Sequence, residues 1–264
     1  MLCRGACLGF VFLIAIFLCV TSIAGSTGLP AGALLPDIVE EIPSHLQIQN
    51  EHQREMLRFS TSHINLGDGP LQVHGGGQIA PCTVDGVDYQ QCTYATQEIL
   101  DATGNVVATH PAGFALFHPA HNHWHQSAVA TFEIRQASLG GPVIARGDKV
   151  TFCLIDFDST DLIHANNTRV YYDCNAQLQG ISVGWIDEYH MSTEGQELDI
   201  TGAPQGVYYL THLADPSQHW LEKNEDNNFA WVKFFLSRKG ANPEITILDH
   251  SPCNGATCGN TSNK

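Results

Sequence analysis

Between residues 57 and 236 the chain falls into short segments rich in β-branched and aromatic residues, each closed by Gly, Pro, Asn or Asp. This punctuation constrains the fold more than any other feature, because short strands at regular spacing with turn residues between them build sandwiches and barrels. Residues 57–66 form such a segment and end at Asp68-Gly-Pro70; residues 71–73 begin a partner, which Gly75-Gly-Gly77 breaks. Val84-Asp-Gly-Val87 supplies the left-handed turn that tight hairpins need, and residues 97–107 fold back around Asp101-Ala-Thr-Gly104 as a second hairpin. Residues 149–154, 198–200, 207–213 and 229–236 complete the series, while 181–189 is ambiguous, extended at first and looped towards Tyr189. No segment carries sustained helical periodicity or heptads. The expectation is an all-β chain, an antiparallel β-sandwich with long loops and little helix.

At 264 residues the chain is long enough for one main domain. Residues 1–24 carry Arg4, an apolar run over 8–20 and the small-residue end Ser22-Ile-Ala24, the pattern of a secretory signal peptide. A membrane anchor is the alternative, against which the run is shorter than the roughly 20 residues a spanning helix needs. Residues 25–34, rich in Gly, Ser and Pro, read as a flexible lead, 35–240 as the folded domain, and 241–264 as a loop-like tail. Of nine cysteines, Cys3, Cys7 and Cys19 leave with the signal. The remaining six, an even number in a secreted chain, imply three disulfides, and the preferred set is local: Cys82 with Cys92, Cys153 with Cys174, Cys253 with Cys258. Sequons at Asn166 and Asn260 fit the same compartment. The formal charge is −15, one unit more negative once Arg4 is removed. It argues against nucleic acid or an anionic membrane as partner and suits a cationic substrate, although acidity alone also keeps a secreted protein soluble.

Chemistry concentrates in His118-Pro-Ala-His121-Asn-His123-Trp-His125, which runs on into the clear alternation of residues 129–135. Along an extended strand His121, His123 and His125 would leave on one face, and neutral imidazole is the commonest metal ligand. If residues 122–135 were one uninterrupted strand, Trp124, Ala128, Ala130, Phe132 and Ile134 would share the core face, leaving the histidines on the open one. A flat strand, however, sets Cα atoms four apart roughly 13 Å away from each other, too far for three imidazoles to meet one ion at about 2 Å. A bend or bulge between His121 and His125 is therefore predicted. His118 reads as a fourth ligand or as a residue of the entry turn. The same parity puts Val150, Phe152 and Leu154 inward and Lys149 with Thr151 on the open side.

Three imidazoles with an open position suit copper(II) or catalytic zinc, with the Irving–Williams order favouring copper. A zinc hydrolase would want a neighbouring carboxylate at helical spacing, as in H-E-x-x-H, and the stretch has neither. Gly75-Gly-Gly77 lacks the lysine and the setting of a phosphate loop, and no G-x-S-x-G elbow is present.

Taken together, these motifs resemble the lysyl oxidase catalytic domain. The string H-x-x-H-x-H-x-H is followed by Gly147-Asp-Lys149-Val-Thr-Phe-Cys153, Gln179-Gly-Ile-Ser-Val-Gly184, Asp187-Glu-Tyr189, Leu198-Asp-Ile-Thr201, Pro204-Gln-Gly-Val-Tyr208 and Glu222…Asn227-Asn228. It is preceded by Leu35-Pro-Asp-Ile-Val39, so the likeness covers residues 35–236 in the family's order. The resemblance implies copper(II) on His121, His123 and His125, and a lysine tyrosylquinone cofactor made from Lys149 and Tyr189. Taken singly, Lys149 reads as a solvated surface lysine and Tyr189 as a half-buried aromatic. It further implies a secreted amine oxidase that converts peptidyl lysine or small primary amines to aldehydes with dioxygen, releasing ammonia and hydrogen peroxide. A matrix or cell-wall protein would be its macromolecular partner. Asp156 and Asp187, close in sequence to the cofactor residues, are the candidate proton-abstracting bases. Ala120 and Trp185 occupy positions that resemble cysteine positions of the animal enzymes, so the resemblance implies a different disulfide framework, as in a compact microbial-type member. The competing readings are a non-catalytic copper-binding sandwich and a zinc-bound structural or adhesion module.

Overall fold

The computed structural model describes residues 28–163, 168–239 and 242–259, without the side chains of Asp148 and Lys149. The signal segment 1–24 and the sequon asparagines Asn166 and Asn260 lie outside the described residues. The chain begins with β1 (Ile38–Glu40), β2 (Ser44–Glu51), β3 (Arg54–Asn65), β4 (Leu71–Val84) and β5 (Val87–Leu100). Next come β6 (Val106–His118), β7 (His123–Gln136), β8 (Val143–Phe152), β9 (Asp158–Ser159) and β10 (Gln179–Ile181). It ends with β11 (Trp185–Tyr189), β12 (Glu197–Asp199), β13 (Gly206–Ala214), β14 (Phe229–Ser237) and β15 (Glu244–His250). A 3-10 turn at Gly255–Cys258 is the only helical element among the described residues.

All pairing is antiparallel and the strands form two sheets, as the turn spacing predicts. The smaller runs β1-β3-β11-β9, with β2 and β12 also on β3; the larger runs β10-β4-β5-β6-β7-β13-β14-β15, with β8 on β7. Between them, alternate residues of β3, β7, β13 and β14 close the core: Leu57 and Phe59, Phe132 and Ile134, Tyr208 and Leu210, Val232 and Phe234. Phe59 and Phe132 meet edge-on across the layers at 4.9 Å, a contact of about 0.5–1.5 kcal/mol beyond the area it buries.

Hairpins with strong turn chemistry form as expected. Asp85 and Gly86 both take positive φ between β4 and β5, and Asp101 caps the next turn through Thr103 and Asn105. The three disulfides are the local ones expected, Cys82–Cys92, Cys153–Cys174 and Cys253–Cys258.

Three expectations need correction. Gly75-Gly-Gly77 does not break the strand: β4 runs through it with a register shift against β5. Glycine is needed there because a Cβ on Gly75 would overlap the Ala176 carbonyl oxygen. The tail is not wholly loop-like, since β15 extends the larger sheet from β14 before the Cys253–Cys258 link. Finally, β7 is not uninterrupted. Near Ala128, at φ 54°, it leaves β6 and takes β13 as its neighbour, and its register with β8 shifts. The bulge turns Val129 into the core beside Ala130, so a single alternation cannot describe both halves of the strand.

A histidine cluster and a buried tyrosine in one cleft

The chain reverses at residues 119–122, where His121 N and Asn122 N both donate to the His118 carbonyl and Asn122 adopts φ 56°. The bend is a hairpin turn between β6 and β7, and it lies at the His121 end of the predicted interval, with His123 and His125 already on the strand. It carries His121 on the turn, His118 and His123 as facing strand partners, and His125 one strand repeat further on. Their rings gather accordingly. His123 Nε2 lies 2.9 Å and His121 Nδ1 3.3 Å from His125 Nε2, and one donor nitrogen from each of the three falls within 4.8 Å of the others. His118 stacks on His125 with ring centroids 4.9 Å apart, its Nδ1 buried without a hydrogen bond.

His125 does not stand on an open face, contrary to strand parity, while His121 and His123 stay half-buried. His125 is 5% exposed, and the Cys153–Cys174 link lies against this end of β7, with Trp124 N donating to the Cys174 carbonyl. Burial pushes the His125 imidazole down to about 3. Burial, and then His121, also lower His123 and His118. Neutral imidazoles with converging nitrogens are what a metal ion requires.

Two residues that sequence reasoning missed orient the rings. His125 Nδ1 sits 3.1 Å from Thr151 Oγ1, leaving its Nε2 to face the cluster, and His121 Nε2 lies 3.0 Å from Glu194 Oε2, leaving its Nδ1 inward. Neither partner is near the histidines in sequence; β8 and the turn after β11 bring them there. Such outer partners fix tautomer and ring angle. Replacing Thr151 by Val should weaken metal-ion binding at the cluster by ~10–100-fold in a competition titration, with Ser restoring it. An unchanged affinity would remove Thr151 from the site.

The same cleft, about 470 Å³, is walled by the three histidines, Phe152, the Cys153–Cys174 link, Asp187 and Tyr189, with Glu188 and Glu194 on its acidic side. Asp187 and Tyr189, two apart on β11, both point inward and are 1% and 7% exposed. Tyr189 Oη lies 2.6 Å from both the Cys153 carbonyl and Asp187 Oδ2. One phenolic proton cannot serve two acceptors, so when Asp187 is protonated it donates to the phenol while the phenol donates to Cys153. Burial pushes Asp187 up to about 7, against the hydrogen bond from Tyr189 and the attraction of His63. Burial and then Asp187 hold the Tyr189 phenol well above its ordinary value.

Asp156 is not brought to the cleft wall. Fully buried, it accepts hydrogen bonds from the backbone of Val170, Tyr171 and Ser182 and from Ser182 Oγ, tying residues 170–171 to Ser182 just past β10. Lys149 lies on β8, two residues before Thr151 and next to Val150, which pairs with Ala130; its side chain lies outside the described residues.

Fold and site together define a β-sandwich in which a histidine cluster able to hold a metal ion shares a cleft with a buried tyrosine and carboxylate. The lysyl oxidase family model matches residues 103–242, just over half of the chain, and the chain belongs to that family. It is 33% identical over 114 residues to lysyl oxidase homolog 2 of Xenopus tropicalis, which covers 43% of this chain and 14% of that relative. Human lysyl oxidase homolog 2 is 32% identical over 114 residues, and lysyl oxidase homolog 3A of Danio rerio 32% over 113. The match spans about a seventh of each relative's length.

Proposed function

We propose that this chain is a secreted copper- and lysine tyrosylquinone-dependent amine oxidase acting on peptidyl lysine or small primary amines. The observation that carries the reading is the shared cleft, in which the histidine cluster and the buried Tyr189–Asp187 pair open to one space. The donor set fits copper: converging, neutral imidazole nitrogens that do not suit the hard, oxygen-seeking cations. His121, His123 and His125 would hold the ion, and Lys149 with Tyr189 would supply the quinone. When bound, these groups provide an electrophile for the amine and an electron sink that dioxygen empties.

The chain's own residues do the rest. Glu188 and Glu194 beside the cleft attract the ammonium form of the substrate, helped by the negative charge of the whole chain. Phe152 and the Cys153–Cys174 link form its less polar wall, which seats an alkyl stem. Asp187, as carboxylate, takes the proton from the carbon beside the substrate nitrogen, since its raised basicity suits a general base near neutral pH. The net reaction consumes amine, dioxygen and water and yields aldehyde, ammonia and hydrogen peroxide. Three disulfides and the apolar leader support an oxidising, extracellular setting, where a matrix or cell-wall protein is the natural source of peptidyl lysine.

The test is peptide mass spectrometry of copper-loaded, aerated protein. Lys149 and Tyr189 should be recovered in one cross-linked species that is absent from protein kept free of copper. Recovery of two unlinked peptides after copper loading would overturn the enzyme reading and leave a copper-binding sandwich.

A further inference from the structure

A second group of metal-ligating side chains lies between the sheets, away from the histidine run. Glu40 on β1, His63 on β3 and His212 on β13 meet there, with every side chain 0% exposed. His63 follows Leu57, Phe59 and Thr61 along the inward face of β3, and His212 follows Tyr208 and Leu210 along that of β13. Both therefore occupy positions where an apolar side chain would pack at no electrostatic cost.

Hydrogen bonding accounts for only part of this cluster. His63 Nδ1 is 2.8 Å from Glu40 Oε1 and well aligned with it. His212 Nε2 is 2.7 Å from Glu40 Oε2, yet neither atom has a hydrogen-bond partner of acceptable angle. A close nitrogen–oxygen approach with the N–H axis pointing elsewhere is expected when both atoms aim their lone pairs at a common third point. The rings stand 5.1 Å apart at 48°, and one donor atom from each of the three residues lies within 4.8 Å of the others.

We propose that Glu40, His63 and His212 form a second metal site, distinct from the cleft, for a divalent transition cation of the zinc type. It would be ligated by the Glu40 carboxylate, His63 Nδ1 and His212 Nε2. Bonds of ~2.1 Å in a tetrahedral shell place donors ~3.4 Å apart, so the two nitrogen–oxygen pairs, now 2.8 and 2.7 Å apart, need to open by about 0.6–0.7 Å. Two imidazoles and one carboxylate, with a fourth position left to a small ligand such as water, is a donor set zinc accepts. The carboxylate offsets half of the ion's charge, and Asp187, paired with His63 across β3 and β11, faces the cluster from the cleft side. The site would pin β1, β3 and β13 together directly behind Tyr189, whose ring is 5.9 Å from that of His63. Because the cluster is sealed, the ion enters during folding, and the site is loaded in the growth medium rather than by soaking.

The competing account is a proton. The cluster would then be a hydrogen-bonded imidazolium–carboxylate network with no ion. The two are separated by the full chain carrying His121→Ala, His123→Ala and His125→Ala, produced in zinc- or cobalt-supplemented medium. Elemental analysis should find one equivalent of metal per chain surviving dialysis against a chelator. Adding Glu40→Gln or His63→Asn should reduce it to below a tenth of an equivalent. As those variants can fail to fold, X-ray absorption of the cobalt-loaded triple variant gives an independent reading, expected to report two imidazoles with oxygen ligands. A folded triple variant without metal, or cobalt lacking imidazole ligands, overturns the second site. Neither result bears on the cleft, whose histidines are already gone.

Discussion

On the amine oxidase reading, replacing Tyr189 by Phe should leave a folded protein that still binds copper but has lost amine oxidation. The ring itself is a packing element: it lies 4.0 Å from Phe152 and 5.9 Å from His63 and closes the floor of the cleft. Phenylalanine keeps those contacts. What is lost is the hydroxyl, and with it the partner of the Cys153 carbonyl and of Asp187 Oδ2. Leaving a buried acceptor unpaired costs about 1–3 kcal/mol, a fall in melting temperature of several degrees for a chain this size. The chemical loss is total by comparison, because a ring without the phenolic oxygen does not become a quinone. Carbonyl-reactive hydrazines should label the copper-loaded parent and fail to label the variant, oxygen uptake with a primary amine should drop to background, and copper content should stay near that of the parent. Turnover by Tyr189→Phe at the parent's rate would remove Tyr189 from the cofactor.

Where local chemistry decides, the fold was legible in the sequence. Asp85-Gly86 needs positive φ at both positions whatever surrounds it, and the six cysteines pair locally because the loops they close are short. Where a residue's role depends on what approaches from elsewhere, the reading failed. Gly75 looked like a break, yet it accommodates the Ala176 backbone, about a hundred residues away in sequence. The residues of β15 carry only weak alternation and are mostly exposed, so no apolar face announced a strand; β14 recruits it as an edge partner. The exchange of β6 for β13 beside β7 has the same origin, because alternation reports a face and not a neighbour.

The site divides along the same line. The histidine spacing demanded a bend, and the distance argument that required it holds in the turn at residues 119–122. Proximity in sequence treated Asp156 and Asp187 alike, whereas folding separates them. Asp156 is consumed by four donors inside the protein, whereas Asp187 lines the cleft beside Tyr189. Thr151 and Glu194 left no usable signal, since a threonine on a strand and an acid in a turn are ordinary. Glu40, His63 and His212 come from three strands in two sheets, and only their inward parity could have marked the histidines as misplaced in a core.

That difference between the two aspartates sets the second large effect. In protein whose carbonyl content has been titrated, Asp187→Asn should slow the anaerobic amine half-reaction by ~10²–10⁴-fold, the usual contribution of a positioned base. The amide matches the carboxylate in size and shape, so packing and amine binding should change little, and the loss should fall on kcat rather than KM. The pH profile gives the sign. A base works only as carboxylate, and burial pushes Asp187 up to about 7. The parent's rate should therefore rise tenfold per pH unit below that value and level off above it, whereas the residual rate of Asp187→Asn should lack this limb. Asp156→Asn is the control: it removes a buried carboxylate that ties residues 170–171 to Ser182, so it should lower the melting temperature while the rate per titrated carbonyl stays near that of the parent. If the variants exchange these roles, with Asp156→Asn losing the limb and Asp187→Asn only the stability, the base is not the residue beside Tyr189.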